Sequence, residues 1–150
     1  MIIDGDGHFF ETEEIFEKYM DPNLRNYRPR LLSDDEGHNF WVVDGQTTYK
    51  RPSIKGAGAP GTAAPPGKKI QAARRASVGS QTLTNLKERL DDLDREGIDV
   101  QFLYPSFLLH VNAWSDGILA MAVCRAYNSW LAEVCKQAPD RLKGVGVVGL

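Results

Sequence analysis

Cysteine and histidine are scarce in this chain of 150 residues, with two and three copies, and neither sign of charge dominates. Cys124 and Cys135 fall in one expected helix, where three turns, about 16 Å at 1.5 Å per residue, keep them from bridging to each other. A disulfide scaffold and a Cys–His zinc ribbon are excluded, and a reduced, cytoplasmic setting is expected. Eighteen basic against twenty acidic side chains leave a net charge of −2, so no global field favours nucleic acid or a membrane surface. No apolar run approaches the roughly eighteen residues of a membrane span. The basic start, apolar middle and small-residue cleavage site of a secretory signal are also missing. GTAAPPGKK (61–69) is not a phosphate loop: its glycine spacing is wrong, no Ser or Thr follows the lysine, and no strand precedes it. Lys68, Lys69, Arg74 and Arg75 read as a solvated basic cluster, and no Ser-His-Asp constellation can be argued from residues so scattered.

What is present is ordinary globular material, 42% apolar and 25% charged, of a length that suits one domain. Met1–Ile3 is a short apolar run meeting the glycine-punctuated Asp4–His8, which predicts a buried strand ending in a loop. Glu11–Tyr19 carries Ile15, Phe16 and Tyr19 at helical spacing, with Thr12 as its cap and Pro22 beyond its end. Phe40–Val43, Asp44-Gly45 and Gln46–Tyr49 predict a β-hairpin. Pro52–Ser80 is rich in glycine, proline and alanine and reads as a long mobile loop. From Thr82, Leu83, Leu86, Leu90 and Leu93 mark an amphipathic helix that Gly97 terminates. Ile98–Tyr104 is a mostly apolar strand stopped by Pro105. Ser115 or Asp116 caps a second helix, its stripe formed by Leu119, Val123, Tyr127, Trp130, Leu131 and Val134, ending before Pro139. Lys143–Leu150 is another near-continuous apolar strand. Apolar strands alternating with amphipathic helices predict an α/β fold with a parallel sheet covered on both faces. A chain ending inside a buried strand is expected to be part of something longer.

The opening IIDGDGHFFE poses the chemical question. A calcium loop starting at Asp4 would need Asp or Asn at its fifth position, Gly at its sixth and Glu at its twelfth, where the chain has His8, Phe9 and Ile15. Two readings stay open: a turn satisfied by its own backbone, and a metal site. Asp and neutral His both ligate zinc and similar ions. Residues two apart on a strand share a face, so Asp6 and His8 can reach one ion together, with Asp4 facing the same way further back. Two ligands are too few, because a catalytic zinc typically has three plus water.

IIDGDGHFFE, LDDLDREGIDVQFLYPS (90–106), AYNSWLAEVCKQAPDRLKGVGVVGL (126–150) and the hairpin WVVDG together resemble the amidohydrolase-related (amidohydrolase 2) family, which includes aminocarboxymuconate semialdehyde decarboxylase and resorcylate-type decarboxylases. The resemblance implies a partial TIM (β/α)8 barrel, its first three or so strands and their helices, with an inserted β-hairpin and a long flexible loop at 52–80. It implies Asp6 and His8 as the first two ligands of a zinc or manganese ion, and a small-molecule substrate met by Tyr104 and Ser106. Glu11 would either orient the ligand pair or cap the helix that follows it; His110, in the loop after the second strand, and His38 are weaker site candidates. The activity implied is hydrolysis or decarboxylation of small, cyclic or unsaturated carboxylic acids. No catalytic residue beyond the metal pair is assigned. A whole barrel needs about 200 residues or more, so the chain is expected to be an N-terminal part that is inactive alone. The alternative is a non-catalytic truncated domain that associates with itself or with a C-terminal partner polypeptide.

Overall fold

The computed structural model describes residues 1–33, 35, 39–43, 46–51 (backbone only) and 76–149. The Asp44-Gly45 turn, His38, Lys68, Lys69, Arg74, Arg75 and the 52–75 part of the expected loop lie outside the described residues. Strand β1 (Ile3–His8) opens the fold, followed by helix α1 (Glu13–Tyr19) and a 3-10 turn at Arg25–Tyr27. Strands β2 (Arg30–Ser33), β3 (Asn39–Val43) and β4 (Gln46–Arg51) come next. Helices α2 (Val78–Thr82) and α3 (Leu86–Glu96) lead to β5 (Val100–Tyr104), a 3-10 segment at Phe107–Ala113, helix α4 (Gly117–Lys136) and β6 (Leu142–Gly144).

Two three-stranded sheets result: a parallel one in the order β1-β5-β6 and an antiparallel one in the order β2-β3-β4. β3 and β4 pair antiparallel, and β2, which was not legible because RLLS is short and does not alternate, pairs on the other side of β3. Cover on a second face of the parallel sheet is not seen among the described residues. Gln101 and Leu103 of β5 and Leu142 of β6 are buried toward the helices, while Ile3 is 51% and Phe102 37% exposed on the opposite face. Among the described residues the sheet is covered on one side, as an arc of barrel wall would be.

Local signals explain the helices. Asp116 caps α4 by accepting hydrogen bonds from the Ile118 and Leu119 amides. Gly97 ends α3 at φ 72°, a left-handed conformation that glycine adopts without a Cβ clash, and its N–H bonds back to the Asp94 and Leu93 carbonyls. The helix expected from Thr82 begins only at Leu86, because Leu83, at φ 58°, ends a separate short helix, α2, before it. The 52–80 loop is correspondingly shorter at its end, since Ser77 caps α2 by accepting from the Ser80 amide. The last apolar run pairs as a strand only through Gly144, although the Val145 N–H still reaches the Leu103 carbonyl. Beyond it the Asn128 side chain substitutes for a neighbouring strand: its Nδ2 donates to the Val147 carbonyl at 2.8 Å and its Oδ1 accepts from the Val147 N–H at 2.8 Å.

One core joins both sheets. The α4 stripe Leu119, Val123, Tyr127, Leu131 and Val134 is buried against Phe9, Leu103 and Leu142. The antiparallel sheet docks through Trp41, which stacks on Phe107 with ring centroids 4.4 Å apart and meets Phe16 edge-on at 5.8 Å. No helix among the described residues is long and apolar enough to cross a membrane.

Candidate metal site at the end of the first strand

The opening motif is strand rather than loop: β1 runs through DGDGH to His8, and it is the preceding Met1, Ile2 and Ile3 that are exposed. Its pairing with β5 begins at Ile3↔Val100 and Asp4↔Gln101, slips, and resumes at Gly7↔Leu103 and His8↔Tyr104. That bulge breaks the two-residue alternation. Asp4 therefore does not share the face of Asp6, and its expected alignment with the pair is corrected. The Asp4 carboxylate accepts from Gln101 Nε2 at 2.6 Å, on the helix side of the sheet, and from the Asp6 amide at 3.0 Å.

Asp6 and His8 do converge. Asp6 Oδ1 lies 3.4 Å from His8 Nε2, with the aspartate open to solvent and the imidazole mostly covered. On its other side the ring is fixed: Nδ1 is 2.9 Å from the Pro105 carbonyl. A carbonyl has no proton to give, so Nδ1 carries a hydrogen, and in the neutral ring Nε2 then presents its lone pair toward Asp6. Two acceptor atoms facing each other need a cation or a proton between them. Two ligands each about 2.1 Å from a tetrahedral ion sit about 3.4 Å apart, the separation found here. An imidazole holding a backbone carbonyl through its second nitrogen is also the usual way a metal-ligating histidine is oriented. The pair fits one edge of a divalent-metal site. Among the described residues no third His, Cys, Asp or Glu joins it.

Tyr104 follows the pairing register to the side of His8, ring centroids 6.0 Å apart. Ser106 is half-buried, and its hydroxyl donates to the Phe9 carbonyl at 2.7 Å, tying the loop after β5 to the loop after β1. His110 sits exposed on the 3-10 segment. A groove of about 560 Å³ between α4 and residues 147–149 contains none of these residues.

Beneath the pair lies polar structure that the sequence did not announce. Glu11 is 1% exposed and is not the cap of α1, whose N-cap is Thr12. Its Oε1 accepts from the amides of Ser106, Phe107 and Leu108 at 3.1, 3.0 and 3.2 Å, and Oε2 from the first two, so it caps the 3-10 segment from across the fold. Burial pushes the Glu11 carboxyl above the usual carboxylate range, and the amides oppose that rise. Arg89, 3% exposed, donates from Nε to Gln101 Oε1 at 2.9 Å and from Nη2 to the His8 carbonyl at 3.1 Å. Burial pulls Arg89 down to about 10, with Asp4 opposing, so it stays charged at neutral pH. Two signals were available for this network: Arg89 interrupts the leucine stripe between Leu86 and Leu93, and Gln101 interrupts an apolar strand.

The fold has a solved counterpart. Along 98% of its length this chain matches the crystal structure of an amidohydrolase from Mycobacterium avium subsp. paratuberculosis K-10, with a TM-score of 0.61 and 19% sequence identity. The chain spans 42% of that protein's length. No family model matches the sequence, and no curated protein matches it. The shared property is the amidohydrolase-like fold, of which the described residues form a partial arc with no closed barrel.

Proposed function

We propose that the chain supplies the first strands of a metal-dependent hydrolase or decarboxylase of the amidohydrolase type, acting on small, cyclic or unsaturated carboxylic acids. The observation that carries this reading is the Asp6 Oδ1–His8 Nε2 separation of 3.4 Å at the C-terminal end of a parallel strand, the end where α/β barrels collect their chemistry. Asp6 and His8 would hold a zinc or manganese ion, which when bound acidifies water and polarises carbonyl or carboxylate oxygens. Asp6 contributes charge and one oxygen. His8 contributes Nε2, its ring kept in register by the Pro105 carbonyl. Tyr104, beside His8, lines the approach for substrate, and Ser106 shapes the same rim through its bond to Phe9. Further ligands would come from strands in the 58% of the solved amidohydrolase that this chain does not span, so the chain alone binds metal weakly and turns nothing over. A cytoplasmic setting goes with this reading.

Calorimetric titration of zinc and manganese into the chain, Asp6→Ala and His8→Ala tests it. Weak one-site heat that either substitution abolishes supports the pair; heat unchanged in both variants contradicts it. A second reading, a non-catalytic domain that associates with itself or a C-terminal polypeptide, draws on the bare sheet face carrying Ile3 and Phe102. Light scattering separates them: a monomer counts against obligatory self-association.

A further inference from the structure

We infer that Glu11 is a positioning residue for His8, acting through the Pro105–Leu108 loop. Glu11 does not touch the imidazole. It holds three consecutive amides, those of Ser106, Phe107 and Leu108, immediately after the carbonyl of Pro105 that accepts from His8 Nδ1. The loop is tied once more by the Ser106 hydroxyl on the Phe9 carbonyl. Residues 8–11 and 105–108 are thus laced together by contacts that run in both directions between two strand ends. Arg89, on the Glu11-independent side, fixes the His8 backbone through its carbonyl. The backbone is therefore held from below by Arg89 and the ring from the side by Pro105, and Pro105 has its place because Glu11 anchors the next three amides.

A buried carboxylate is a costly way to cap a seven-residue 3-10 segment, since its desolvation must be offset by the amides it accepts from. The cost has a reason here: a loop fixed at three successive amides cannot swing its preceding carbonyl away from the imidazole. Free of that carbonyl, the ring would redistribute its proton between the two nitrogens, and Nε2 would no longer be a dedicated lone pair facing Asp6. The consequence for a bound ion rests on the metal reading above; the consequence for the ring does not.

The test reads the ring first. Nitrogen-15 spectra of the histidine rings in the metal-free chain, at about pH 8.5, above the ordinary imidazole range, report which nitrogen of His8 is protonated. In the unsubstituted protein the proton sits on Nδ1. In Glu11→Gln, shown to be folded by its near-ultraviolet circular dichroism, a mixture with the Nε2-protonated form is expected, and zinc affinity falls by about 10- to 100-fold. A purely structural Glu11 would lower stability and leave the proton on Nδ1 in the folded molecules, and that result overturns the inference. Should Glu11→Gln not fold, Glu11→Asp, which keeps the charge on a shorter stem, is read in the same way, and an unchanged Nδ1 proton is again decisive against it. Zinc that never binds alongside a shifted proton contradicts the metal reading while supporting the positioning role. Zinc that binds with the proton unmoved in the variant does the reverse.

Discussion

Gly7 sits between the two proposed ligands, and the cost of giving it a side chain can be worked out from its neighbours. A methyl group there would lie 2.5 and 2.6 Å from Cδ and Nε2 of Gln101, inside any real contact distance. Gln101 cannot step aside freely. It is 3% exposed, its Nε2 is bound to Asp4 and its Oε1 to Arg89. Gly7→Ala must therefore overpack the site, at about 1–3 kcal/mol, or expel the Gln101 amide. Expulsion loses two hydrogen bonds to charged partners at about 1.5–3 kcal/mol each. The molecule takes the cheaper of the two responses, so the expected loss is about 1–3 kcal/mol, a sizeable share of the stability of a domain this size. Urea unfolding followed by tryptophan fluorescence, to which Trp41, Trp114 and Trp130 contribute, measures it. The mechanism is checked by a cycle with Gln101→Ala, which clears the space: the double variant should be less destabilised than the sum of the singles by about 1–3 kcal/mol. Additivity within about 0.5 kcal/mol would refute the claim that Gly7 is a glycine because Gln101 crosses it.

Tyr127 is fully buried, and burial, with the Glu11 charge behind it, pushes its phenol up from an ordinary value of 10.0. The folded chain keeps a proton that the unfolded chain releases, so this contribution is complete below pH 10 and falls by about 1.4 kcal/mol per pH unit above it. Tyr127→Phe, which also forfeits the bond to the Val145 carbonyl at about 1 kcal/mol, should show a shallower alkaline decline in urea midpoints; parallel curves would contradict the assignment. Trp41→Ala removes the ring that stacks on Phe107 and meets Phe16 edge-on, and should cost about 3–5 kcal/mol, read from thermal unfolding by circular dichroism. A loss below about 1 kcal/mol would mean that the antiparallel sheet does not depend on this anchor.

Features set by neighbours in sequence were legible before the structure. Gly97 at the end of α3, Asp116 at the start of α4 and the α4 stripe each follow from a local rule, and the structure has them in place. The Asp6–His8 convergence follows from a two-residue spacing. What could not be read depends on distant partners. Asp4 turns away because the β1–β5 pairing slips by a bulge, and Glu11 finds its amides 95 to 97 residues further along the chain. Cover on both faces of the parallel sheet was expected because an apolar strand looks the same whether its second face meets a helix or stays open, as it does among the described residues. Leu83, apolar and in phase with the α3 stripe, gave no warning that its backbone would be left-handed.

The central claim is that His8 Nε2, with Asp6, is the chain's metal-facing atom. Its most direct test is zinc titration of the nitrogen-15-labelled chain, watching the ring nitrogens of all three histidines. The account predicts that His8 Nε2 shifts first, that Nδ1 stays protonated on Pro105, and that Asp6→Ala weakens the response. A zinc response at His38 or His110 with His8 silent, or a shift at His8 Nδ1, would contradict it.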